Sequence, residues 1–120
     1  MPHKGSLLHR RLIQFAVDIA NLCSSLDKGV FEINLANQMI RSSTSAALNH
    51  SEAIGASSLK DFINKLRIVL KELRETHTGL DLLIIKREDD MQSPIGILYK
   101  EADELCAIVF SSIKTAESKL

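Results

Sequence analysis

Arg41, Ser45, Asn49 and Glu52 follow one another at spacings of four, four and three, which sets a guanidinium, a hydroxyl, an amide and a carboxylate along one side of a helix. Such a row can form a polar groove in which Arg41 binds an anion while Asn49 and Glu52 fix its position. It can equally be an internal network of hydrogen bonds and ion pairs that sets helix register or joins subunits, because buried polar groups need partners whatever the function. Further along, Lys71 and Glu75 are spaced to pair at i and i+4, while Glu72 and Glu75 can reach toward a neighbouring helix or subunit. Arg41 facing Glu72 is the specific contact expected, made by bidentate hydrogen bonds. An exposed salt-bridge surface is the plainer alternative.

Other chemistries find less support in the residues. A di-metal bundle needs Glu-x-x-His pairs on its helices, yet Thr78 and Ala107 stand three residues after Glu75 and Glu104, and His3, His9 and His50 do not repair the pattern. Serines are plentiful, but no nucleophile elbow or His–acid arrangement accompanies them. No Gly-rich phosphate loop or dinucleotide fingerprint is present. The residues therefore predict no catalytic group, no metal ligand and no cofactor. Cys23 and Cys106, without metal-ligand spacing, read as small apolar core residues of a reducing cytoplasm.

Fifteen Lys and Arg offset fifteen Asp and Glu, a formal charge of zero that excludes a globally basic polyanion binder but leaves room for a local patch. Arg10, Arg11 and Arg74 are the candidate nucleic-acid contacts. With one Tyr, four Phe and no Trp, no basic–aromatic interleaving suggests a base-stacking platform. Apolar runs such as Leu82 to Ile85 fall far short of the roughly 20 residues that span a bilayer, and Asp18 interrupts any export segment, so a cytoplasmic protein without membrane contact is expected.

The elements that carry these residues are helices. The 120 residues suit one domain with a modest core. Leu8, Leu12, Phe15, Ile19, Leu22 and Leu26 form one stripe at three-and-four spacing, which predicts a helix over about 6–27. Gly29 is suited to end it in a left-handed conformation. A second helix is predicted over 31–54, with Leu35, Met39, Ala46 and Leu48 as its apolar positions. Its centre, Arg41-Ser42-Ser43-Thr44-Ser45, has poor helix propensity, for which close helix packing is the usual compensation. Ser58-Leu59-Lys60-Asp61 is a capping pattern opening a third helix over 58–87, on which Phe62, Leu66, Val69, Leu73, Leu80 and Ile84 align. Ser93 and Pro94 start a fourth, over 94–116, with Ile97, Leu98, Ala102, Leu105, Ile108, Val109 and Ile113. Four amphipathic helices with short turns predict an all-α, antiparallel, up-down-up-down four-helix bundle.

The order of residues also resembles the bacterial four-helix-bundle family first associated with intervening sequences in 23S ribosomal RNA genes. The likeness lies in Gln38-Met39-Ile40-Arg41-Ser42-Ser43-Thr44-Ser45-Ala46-Ala47-Leu48-Asn49 with Glu52-Ala53. It continues through Ala56-Ser57-Ser58, Asp61-Phe62, Lys65-Leu66, Leu70-Lys71-Glu72, Glu75-Thr76 and Leu80. The chain departs from many family members in having Ala53 for Gly, and from one subgroup in having Gly79 for an aromatic residue. The resemblance implies a cytoplasmic bundle of poorly defined biochemical role and a ring-like homo-oligomer such as a pentamer; the residues beside it are read as those of a non-enzymatic self-association or scaffold protein in which the Arg41 to Glu75 polar set is structural or interfacial. Accessory proteins of diversity-generating retroelements resemble the same bundle, which implies the alternative of an RNA-associated protein that binds nucleic acid or a reverse transcriptase.

Overall fold

A computed structural model describes residues 4–120; His3 lies outside the described residues. Four helices follow one another: α1 (Lys4–Ser24), α2 (Val30–Ile54), α3 (Leu59–Arg87) and α4 (Pro94–Glu117). Each packs on its neighbours in sequence, and α4 returns to α1, whereas the diagonal pairs do not meet. Cross-helix contacts fix the directions. His9 meets His50 and Cys23 meets Ala36; Glu32 meets Lys86 and Glu52 meets Lys65; Arg67 meets Glu117 and His77 meets Asp103; Arg11 meets Glu101. Between α1 and α2, α2 and α3, and α3 and α4 one residue number rises as the other falls, so consecutive helices run antiparallel, and α4 is thereby antiparallel to α1 as well. The bundle measures 46 × 26 × 23 Å, the long axis being close to the ~43 Å expected of the 29-residue α3.

The caps explain the boundaries. Ser58 Oγ accepts from the amide of Asp61, and Ser93 Oγ accepts from the amide of Gly96 behind Pro94, each satisfying an amide that the first turn leaves without a partner. Gly29 corrects an expectation. It is extended, at φ −73° and ψ 161°, and caps the start of α2 instead of closing α1 in a left-handed turn. The physical reason is its place immediately before α2, since an N-cap takes extended φ/ψ; the Glu32 carboxylate folds back so closely that a Cβ on Gly29 would lie 2.5 Å from its Oε1. The left-handed residue is Glu88, at φ 55°, which ends α3.

Leu12, Phe15, Ile19, Leu66, Leu73, Leu80, Leu105 and Val109 fill the core. Two apolar positions assigned to helix stripes are instead largely exposed, Leu48 at 65% and Ile97 at 58%. Each sits two residues, about 200° around the helix, from a buried neighbour: Ala46 and Ile95 take those inward positions. Cys23 and Cys106 are half-buried free thiols whose pKa burial raises. No helix among the described residues is long and apolar enough to cross a membrane.

Candidate functional site

The polar row of α2 faces α3. Arg41 donates through Nη1 to Oε2 of Glu72 at 3.1 Å and through Nη2 to Glu75. The Glu72 side chain is buried while Arg41 is half exposed, so the guanidinium lies over the α2/α3 seam and closes it from outside. Beneath it, in the core, Ser42 Oγ and Thr76 Oγ1 lie 2.6 Å apart, both fully buried, and Thr76 also donates to the carbonyl of Glu72. In the hydroxyl-rich centre of α2, Ser42 thus makes a cross-helix hydrogen bond in the core, while Ser43 and Thr44 donate back to the carbonyl of Ile40 in their own helix. The Ser42–Thr76 pair is readable in sequence only as two small polar residues that need a partner.

The rest of the row is also satisfied within the chain. Asn49 Nδ2 donates to the carbonyl of Ser45 at 2.9 Å and to its Oγ at 3.1 Å. Glu52 accepts from Lys65 Nζ at 2.9 Å; this bond is the main reason the lysine's pKa is raised. Arg41 and Glu52 therefore join α2 to α3, whereas Ser45 and Asn49 bond to each other within α2. Lys71 departs from its expected pairing, because Glu75 is held by Arg41 across the groove. Lys71 is exposed and makes no ion pair among the described residues.

The candidate nucleic-acid contacts do not converge. Arg11 is clamped by Glu101, with Nε at 3.2 Å and Nη2 at 2.7 Å, and its Nη1 lies 3.2 Å from Glu104. These bonds raise the pKa of Arg11. It closes the α1/α4 edge over a groove of about 390 Å³ floored by Phe15 and Leu98. Arg10 stands exposed on α1 and Arg74 exposed on α3, diagonal helices that do not touch.

Two further features escaped the sequence. Glu32 is buried at the start of α2 and accepts from Lys86 at 2.6 Å; this bond first, and its own backbone amide second, hold the carboxyl below its usual range. Glutamate at the third position after a cap was the available signal. His50 is buried with its Nδ1 3.1 Å from Nδ1 of His9, in rings inclined by 20°. Desolvation, and secondly the His9 charge, push its pKa down to about 4. The pairing depends on α1/α2 register, which spacing along one helix does not encode. No cluster of three or more metal-ligating side chains occurs among the described residues.

This architecture, with its Arg-Ser-Ser-Thr-Ser segment packed on α3, coincides with a sequence-family match. The model of the 23S rRNA-intervening sequence proteins matches residues 8–111. The chain belongs to that family. Its fold is similar to the crystal structure of a protein of unknown function from the S23 ribosomal protein family of Bacteroides thetaiotaomicron VPI-5482. The two share 35% identity over 93% of this chain and 99% of that one, with a TM-score of 0.82. No curated protein matches the sequence.

Proposed function

We propose that the protein is a non-enzymatic, self-associating helical module of the cytoplasm, and that its contact surface is the outward face of α1 and α2. The observation that carries this reading is an uncovered apolar patch. Ile13 and Val17 on α1, and Ile40 and Leu48 on α2, are all substantially exposed. The antiparallel register set by His9–His50 and Cys23–Ala36 brings Val17 alongside residue 42 and Ile13 alongside residue 46, so the four residues lie at neighbouring levels of two adjacent helices. Scattered exposed aliphatics are ordinary, but a contiguous group on adjacent helices favours burial against another protein surface.

The polar row supports the same division of labour. Arg41 and Glu52 find their partners on α3 of their own chain, so they hold α2 and α3 together and keep the apolar patch in shape. The closed ring of identical subunits is the pentamer that the sequence resemblance implies. The test is sedimentation velocity of I13E/I40E beside the wild type, with helicity followed by circular dichroism. The reading expects the variant to stay helical and fall to the monomer; a variant that assembles like the wild type would exclude this face as the contact.

A further inference from the structure

Along α3, Lys60, Asn64, Arg67, Lys71, Arg74 and Thr78 recur at spacings of four, three, four, three and four, a repeat that keeps all six on one straight ridge. Every one of them is exposed. The ridge carries four cations and no acid, and from Lys60 to Arg74 it extends about 21 Å at 1.5 Å per residue. Arg67 is tied at one edge to Glu117 at 2.5 Å, while Lys60, Lys71 and Arg74 make no ion pair among the described residues.

Helix stability does not account for this row. Arg67, Lys71 and Arg74 are successive like charges at i+4 and i+3, an arrangement that destabilises a helix by a few tenths of a kcal/mol per pair. The acids that would normally relieve it are turned away. Glu75, four residues beyond Lys71, is taken by Arg41, and Glu72 is buried under the same guanidinium. In a chain whose net charge is zero, the α2/α3 seam withdraws the carboxylates and leaves the cations outermost.

We infer that the outer ridge of α3 is a binding surface for the phosphodiester backbone of a nucleic acid, contacted by Lys60, Lys71 and Arg74. Between Lys60 and Thr78 the crest carries no large apolar side chain, and the repeat meets the exposed Leu82 and Ile85 only beyond the cations, whereas a protein interface is anchored by buried aromatic or aliphatic groups. Point charges flanked by the uncharged hydrogen-bonding Asn64 and Thr78 suit phosphate oxygens, which position a strand without reading its sequence. The absence of exposed aromatics on the ridge fits backbone contact in place of base stacking. This inference is independent of the assembly reading, since the ridge lies on α3 and the apolar patch on α1 and α2.

The experiment is fluorescence anisotropy of a labelled, mixed-sequence, single-stranded RNA titrated with the full chain at roughly 50 and 200 mM salt. Wild type is compared with K60Q/K71Q/R74Q and with R10Q, and a labelled poly-glutamate of equal length is titrated in parallel. Three phosphate contacts give a slope of about −2 in log K against log salt, hence about a 20-fold loss of affinity across that range. The triple variant should lose binding at least about tenfold and flatten the slope, while R10Q binds as the wild type does. Salt-insensitive or undetectable RNA binding, or equal binding by the triple variant, would overturn the inference. Poly-glutamate binding as tightly as RNA would also overturn it and reassign the ridge to an acidic protein. The substituted side chains are exposed, and an unchanged circular dichroism melt establishes that the triple variant is folded.

Discussion

Arg41 reaches from a half-exposed position on α2 to the buried carboxylate of Glu72 on α3, 3.1 Å away. The two groups are unequal partners. Glu72 has given up solvent and depends on the guanidinium, whereas Arg41 keeps part of its hydration. Removing the cation therefore harms the fold more than the ion pair's own modest net worth would suggest, because an uncompensated buried charge is what remains.

The Arg41→Met variant should lose about 2 kcal/mol of unfolding free energy, and adding Glu72→Gln should restore part of it by removing the stranded charge. Urea denaturation of the wild type, both single variants and the double variant measures this. A double variant no more stable than Arg41→Met would show that Glu72 does not depend on Arg41.

His50 gives the fold a pH dependence with a definite sign. Its pKa is about 4 in the folded chain against an ordinary 6.5, so the unfolded chain binds the proton first. This contribution to stability is complete above pH 6.5 and is lost as the pH falls toward 4. The loss between about pH 7 and about pH 5 should be roughly 2 kcal/mol. Glu32 and Glu117, whose pKa values are lowered, act only below the ordinary carboxylate range. Unfolding curves of His50→Gln over the same interval should be nearly flat; an undiminished slope would place the effect elsewhere.

Gly79 lies buried on α3 where a Cβ would approach Met39 Cγ to 2.7 Å and Sδ to 2.9 Å. Helix propensity favours Ala by about 1 kcal/mol, but overpacking costs about 1–3 kcal/mol. Gly79→Ala should be destabilising by about 1 kcal/mol in the wild type and stabilising in a Met39→Ala background. Thermal melts of the four proteins decide it, and a change of the same sign in both backgrounds would remove Met39 as the cause.

Glu88 holds a left-handed conformation at φ 55°, which costs a residue with a side chain about 1 kcal/mol. Glu88→Gly should raise stability by a sizeable part of that. A chemical-denaturation midpoint that falls would indicate that the Glu88 side chain contributes more than its backbone strain removes.

The parts of this molecule legible in the sequence are those encoded along one helix. The Leu12-Phe15-Ile19-Leu22 stripe repeats with the helical period, and its burial follows directly. Ser58 and Ser93 cap because their hydroxyls stand three residues before an unpaired amide. Arg41 opposite Glu72 was legible because an antiparallel α2/α3 pair with polar rows on both helices has few other ways to satisfy them. Choices between partners on different helices were not legible. Lys71 and Glu75 have ideal spacing, yet Arg41 competes from across the groove and wins the carboxylate. Leu48 and Ile97 are as apolar as their core neighbours, and only the placement of adjacent helices turns Ala46 and Ile95 inward instead. His9 and His50 lie 41 residues apart, and no local pattern fixes the α1/α2 register that joins them.

The most direct test of the assembly reading is the absolute mass of the native protein by size-exclusion chromatography with light scattering, at low and high salt. The ratio of absorbances at nucleic-acid and protein wavelengths is read from the same peak. The account predicts a salt-resistant species of an integral number of 13.3 kDa chains, held by the apolar face of Ile13, Val17, Ile40 and Leu48. A species that stays at the mass of one chain across the accessible concentrations would contradict it.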